Sequence, residues 1–256
     1  MNLAIYGVLL SLGLFAAMLV MLEVGRRTGI RRISKGTEAD LASGGALNAS
    51  VFALLGLLLA FTFSGAASRF ETRRQLIVEE ANALGTCYLR LDLIPAGGQA
   101  ALREKLKQYL DVRLAAYTNP DVDAGKQQLA QAASLQHELW SQALMASRAP
   151  DATPDGGRLL LPAINTLIET TTKQTMATEM HPPMIVLAML VALMLVSSLL
   201  AGLSLAQATR RNWIQVLCFA AVLSVTFYVI LDLEFPRVGW IKLDDRPLVE
   251  LRQRMK

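Results

Sequence analysis

Ala46-Leu-Asn-Ala-Ser-Val-Phe-Ala-Leu-Leu-Gly-Leu-Leu-Leu-Ala-Phe-Thr-Phe-Ser-Gly-Ala-Ala-Ser68 is an apolar run, and Arg69-Phe-Glu-Thr-Arg-Arg-Gln-Leu-Ile-Val-Glu-Glu80 continues it as charged chain without a breaker. No proline interrupts the stretch before Pro95, although Gly56, Gly65 and Gly85 lie inside it. The first part is long enough to cross a bilayer, which takes roughly 20 apolar residues in a helix. The second part carries charge that belongs in water. The stretch therefore predicts one long helix, half in lipid and half in water, on which the rest of the chain packs.

Composition agrees. Of 256 residues 53% are hydrophobic and 18% are charged, below the roughly 25% of soluble domains. Mean hydropathy is +0.38. Long stretches without charge mark a membrane protein rather than a large soluble core. The net charge of +4 comes from basic residues beside apolar runs, where they set topology; nucleic-acid binding is not indicated. Cys87 and Cys218 are far apart and form no framework.

Working outward, residues 3–22 read as a first, uncleaved span, since nothing before Leu3 supplies the basic start of a signal peptide. Arg26, Arg27, Arg31, Arg32 and Lys35 follow it, and 42–46 is a turn into the second span, 46–68. Residues 184–206 and 213–231 form the third and fourth spans, joined by a tight loop at Gln207–Asn212, with Trp213 suited to the lipid interface. The expected fold is an all-α integral membrane protein with four transmembrane helices in two hairpins, 1–68 and 182–233. A helical extramembrane insert, 69–181, separates them, and a basic tail, 234–256, ends the chain. Basic residues flank both membrane faces, so charge does not fix the orientation.

Within the insert, Ile77, Ala81, Leu84, Tyr88 and Leu91 form a seam for a partner helix. Further helices are expected over Gln99–Thr118, Gly125–Ser147 and Arg158–Met180, the last with Pro162 in its first turn. Arg148–Gly157 is the least ordered stretch by composition, and Asn119–Asp123 is a turn.

On the second span, Gly56, Ala60, Ser64 and Ser68 recur every four residues as a helix-packing stripe of small side chains. Ala188, Ala192, Ser198 and Gly202 offer the same on the third span. Leu57, Phe61 and Gly65 form the neighbouring stripe of the second span. Arg69, Arg73 and Arg74 follow at the water boundary, where they can concentrate anions or anchor headgroups.

No enzyme chemistry is indicated. His137 and His181 are isolated, so no metal site is expected. Gly97-Gly98 and Gly156-Gly157 lack the context of a phosphate loop. No serine sits in a nucleophile elbow. Glu79 and Glu80 point to different helix faces and read as solvated charges; Asp232 and Glu234 read as markers of the lipid–water boundary. No cofactor is implied.

Leu54-Leu-Gly-Leu-Leu-Leu-Ala-Phe61 followed by Arg69-Phe-Glu-Thr-Arg-Arg74 resembles the long second helix of bestrophins, with its apolar neck and polar extension. The tail Asp232-Leu-Glu-Phe-Pro-Arg-Val-Gly-Trp-Ile-Lys-Leu-Asp-Asp-Arg-Pro-Leu248 resembles the acidic stretch after the last bestrophin helix. The layout matches over most of the chain, and most closely that of the bacterial bestrophin-like membrane proteins. The resemblance implies a homo-oligomer, five subunits in bestrophins, around a chloride-conducting pore in the bacterial inner membrane. Leu57 and Phe61 would form the neck, with Gly65 where a bulky apolar residue is the family's pattern; Phe63 or Phe70 could serve instead. The tryptophan-rich sequence after the neck is absent, and Arg73-Arg74-Gln75 stands there. Asp232, Glu234, Asp244 and Asp245 lie near the position of the animal calcium clasp, and no metal site is assigned to them. The other expectation, from a different class, is a membrane-anchored interaction or scaffold protein whose insert binds a partner.

Overall fold

The structure, a computed structural model, describes residues 3–35, 45–119, 122–206, 212–236 and 239–255. Among these the elements are α1 (Leu3–Ile33), α2 (Gly45–Arg90), a 3-10 turn (Leu91–Leu93), α3 (Ala96–Thr118), α4 (Val122–Ser147), α5 (Pro154–Glu179), α6 (Met184–Leu205), α7 (Trp213–Glu234) and α8 (Arg246–Arg254). The turn expected over 42–46 lies outside the described residues except for its last two, which are already helical. The turn at Pro120 and most of the 207–212 loop also lie outside them.

The quoted stretch is one helix. With no proline to remove an i→i−4 bond, α2 runs 46 residues from Gly45 to Arg90. Four helical stretches are long and apolar enough to cross a membrane: in α1, in α2, in Pro154–Leu205 (which includes α6), and in α7.

The chain divides into two compact units, Met1–Ser68 with His181–Ile241, and Arg69–Met180 with Lys242–Lys256. In the first, α1 packs on α6 and α7. Gly25 and Gly202 let the α1 and α6 backbones touch. A Cβ on Gly25 would strike the Leu199 carbonyl oxygen, and one on Gly202 the Leu22 carbonyl oxygen. The α1–α7 contact carries a buried hydrogen bond, in which Ser224 Oγ donates to the Ser11 carbonyl at 2.6 Å. Helix α1 outruns the expected span because nothing breaks it before Ser34, and Glu23 pairs with Arg26 and Arg27 one turn on.

In the second unit the core is Ile77, Leu84, Cys87 and Leu91 from α2 and the 3-10 turn, Leu102, Leu106 and Leu110 from α3, Leu139 from α4, and Leu160, Ile164 and Leu167 from α5. The tail joins it through Leu248 and Met255. Two expectations need correcting. Helix α5 begins at Pro154, not Arg158, so Pro162 is interior rather than in the first turn. Pro154 takes the first-turn position, where a missing N–H costs nothing. The first turn of α5 therefore takes in 154–157, the end of the stretch expected to be least ordered, where Gly156 fits against the Leu93 carbonyl and Gly157 against Ser147 Cβ, 2.9 Å from where its own Cβ would lie.

Candidate functional site

In the first unit α2 has two faces. Leu55, Thr62 and Ala66 are buried, and Thr62 Oγ1 satisfies itself by donating to the Leu58 carbonyl at 2.6 Å. Leu54, Leu57, Phe61, Ser64 and Ser68, spaced three, four, three and four, form a stripe left exposed. Leu57 is 53% exposed and Phe61 68%. Gly56 and Ala60 are exposed beside them, and a Cβ on Gly56 would meet nothing within 4 Å. Gly65 is half-buried, between the two faces.

The three arginines after Ser68 differ in environment. Arg74 is exposed and pairs with Glu71 at 3.6 Å. Arg69 is half-buried. Arg73 is buried; its Nε donates to the Ala177 carbonyl at 2.9 Å and its Nη2 to the Met180 carbonyl at 2.8 Å. Those carbonyls lie at the C-terminus of α5, where acceptors lack helical partners and a cation is favoured.

Glu80, expected in solvent, is fully buried. Tyr109 and Tyr117 hydroxyls donate to its carboxylate at 3.2 and 3.1 Å, and Arg113 donates to it through Nε and Nη2. Arg113 Nη2 also donates to Gln174 Oε1 at 2.6 Å, while Tyr109 contacts Thr171 Oγ1 at 2.7 Å and Gln136 Nε2 at 3.2 Å. Burial first, and the Glu80 charge second, push both tyrosines above their ordinary pKa. Burial pulls Arg113 down, but Glu80 outweighs it and leaves the guanidinium above its usual value. Glu80 lies three residues after Ile77 and four before Leu84, so its place on the buried seam is legible in the sequence while its partner Arg113 is not.

Asp232 and Glu234 do more than mark a boundary. Asp232 accepts from Trp240 N at 3.0 Å and Ile241 N at 2.8 Å, and Gly239 leaves room for its carboxylate. Glu234 is buried, 3.5 Å from His181 Nδ1, and His181 stacks on Phe235. His137 is exposed.

A family model described as Bestrophin-like domain matches residues 13–248. The chain belongs to the Bestrophin-like family. Solved structures of a bacterial bestrophin homologue from Klebsiella pneumoniae, in substituted forms, share its fold. One, at 13% identity, covers 93% of this chain and 96% of its own with a TM-score of 0.71. Another, at 15% identity, covers 95% and 94% with a TM-score of 0.65. A search of curated proteins finds no match. This Bestrophin-like protein is an all-α integral membrane protein, and its spans are the four apolar stretches described above. At such identities the likeness establishes the backbone arrangement and leaves the chemistry to the residues of this chain.

Proposed function

We propose that this Bestrophin-like protein is a homo-oligomeric anion channel of the bacterial inner membrane, with chloride as the simplest permeant ion and five subunits around the axis. The reading is carried by the exposure of Leu57 and Phe61 on one face of α2 while Leu55, Thr62 and Ala66 on the other face are buried. In a ring with α2 toward the axis, Leu57 and Phe61, one turn apart, form a hydrophobic constriction that conducts when wetted. Gly65 follows as a wider turn. Gly56, Ala60, Ser64 and Ser68 give neighbouring subunits a close approach. Arg69 and Arg74 raise the anion concentration at the mouth, and Arg73 adds its residual field from within the protein.

The test is chloride flux from liposomes containing the purified full chain, with its mass measured in detergent. Wild type should pass chloride and Phe61→Ala should pass more. An oligomer that passes no small ion in either form removes the channel reading, and a monomer removes the ring.

A further inference from the structure

We propose that the membrane unit holds one acyl chain of a phospholipid in a cavity beside α6, where it serves as a fixed part of the packing. A cavity of about 310 Å3 opens there. Its walls are Leu22 of α1, Phe52 of α2, and Val216 and Phe219 of α7. The small side chains Ala201 and Ser204 of α6 leave the space unfilled. Phe52 and Phe219 meet edge to face, with centroids 6.3 Å apart, which makes one wall rigid.

The lining selects an apolar occupant. Leu22 and Val216 are buried, whereas Ser204 and Gln215 are exposed, so the polar residues lie at the open side. Ser204 Oγ already donates to the Leu200 carbonyl at 3.2 Å. A resident water needs two to four polar partners, and these walls do not supply them. The space is open on one side, and among helices that span a bilayer its apolar walls face acyl chains rather than water. A cavity of roughly 150 Å3 accepts a benzene-sized molecule. This one takes part of a single chain, and not two tails with a headgroup.

Position selects the source. The cavity lies where α6 ends at Leu205 and α7 begins at Trp213, among helices apolar enough to span a membrane. Exposed Trp213 and Ile214 stand next to Gln215 in sequence, the mix of tryptophan and apolar side chains found at headgroup depth. A phospholipid there can keep its headgroup at the polar rim and slide one tail between Phe52 and Val216.

The experiment uses the full chain in vesicles of phosphatidylethanolamine and phosphatidylglycerol. A trace of the phosphatidylethanolamine carries a diazirine at the end of one acyl chain. After illumination, peptide mass mapping should find adducts on Leu22 and Val216, which their own chain covers, as well as on Val222 and Val225, which it leaves exposed. Filling the space with Ala201→Phe should remove most of the Leu22 and Val216 adducts and leave those at Val222 and Val225 unchanged. Ser204→Leu, at the rim, is the milder variant if the first does not fold, and the same loss is expected. Adducts confined to Val222 and Val225 in wild type would overturn the proposal, as would adducts at Leu22 that survive both substitutions. Adducts that form only after the oligomer is dissociated would also overturn it, because a second copy would then fill the space.

Discussion

Arg113 holds both carboxylate oxygens of Glu80, at 2.5 and 2.8 Å, in a site where the two side chains are 1% and 0% exposed. Bringing two charges out of water is costly, and the pair is tolerated because Tyr109, Tyr117 and Gln174 supply the remaining hydrogen bonds. Removing one partner strands the other. Arg113→Met alone is expected to cost about 3–5 kcal/mol. Glu80→Leu combined with Arg113→Met should cost less than either single change, since no uncompensated charge remains. Melting of the detergent-solubilised chain checks both, and a single variant as stable as wild type would contradict the account.

Alkali should loosen the same network. Burial keeps Tyr109 and Tyr117 protonated in the folded chain beyond the ordinary tyrosine value of about 10. Above that pH the unfolded chain loses these protons first, so the unfolded state gains. Their contribution is whole below about pH 10 and falls as the pH rises through the raised folded values. Tyr109→Phe should lower stability near neutrality by removing hydrogen bonds, and also flatten the alkaline fall. A melting curve of equal alkaline slope in wild type and variant would exclude Tyr109 as a source.

Arg73 and Arg74 are neighbours with separable duties. Losing the charged hydrogen bonds from Arg73 to the Ala177 and Met180 carbonyls should cost about 2–3 kcal/mol in Arg73→Gln. Arg74→Gln, on the surface, should stay within about 0.5 kcal/mol of wild type. If Arg74 concentrates anions, its loss lowers chloride flux most at low salt, where its field reaches furthest. Equal melting temperatures for the two variants would refute the division.

The α1–α6 crossing should reject even a methyl group. Gly25→Ala and Gly202→Ala each place a Cβ against a carbonyl that cannot move without the helix. A loss of about 1–3 kcal/mol is expected for each, as for other overpacked contacts. Gly56→Ala, whose added methyl meets nothing, should leave the fold of the chain intact. Any effect of Gly56→Ala on the number of subunits in the detergent-solubilised particle would then report on assembly. Thermal stability in detergent separates the three variants.

The buried Cys87 should resist modification in the folded chain. Burial pushes the Cys87 thiol up to about 12, with Arg90 pulling weakly the other way, while Cys218 is exposed. The nucleophile is the thiolate, so Cys87 in the folded chain should react far more slowly than a solvated thiol. In the Cys218→Ser variant a maleimide should modify Cys87 only after unfolding. Fast modification of Cys87 in the Cys218→Ser variant would show that the insert opens readily.

The helical architecture could be read from order and period alone. An unbroken apolar run that turns charged admits a single long α2, and three further uncharged runs admit little but spans. The small residues Ser198 and Gly202 likewise announced a close approach on α6. What the chain order could not convey is which elements meet. Gly25 and Glu80 depend on partners 177 and 33 residues away, at Gly202 and Arg113. A glutamate is soluble by type and buried by position, and only a facing arginine decides between the two. Pro162 is interior for a related reason: where a helix starts depends on what its first turn rests against, here Leu93 and Ser147. Local propensity sets which segments coil; contact across the chain, where desolvation must be matched charge by charge, decides what each side chain does there.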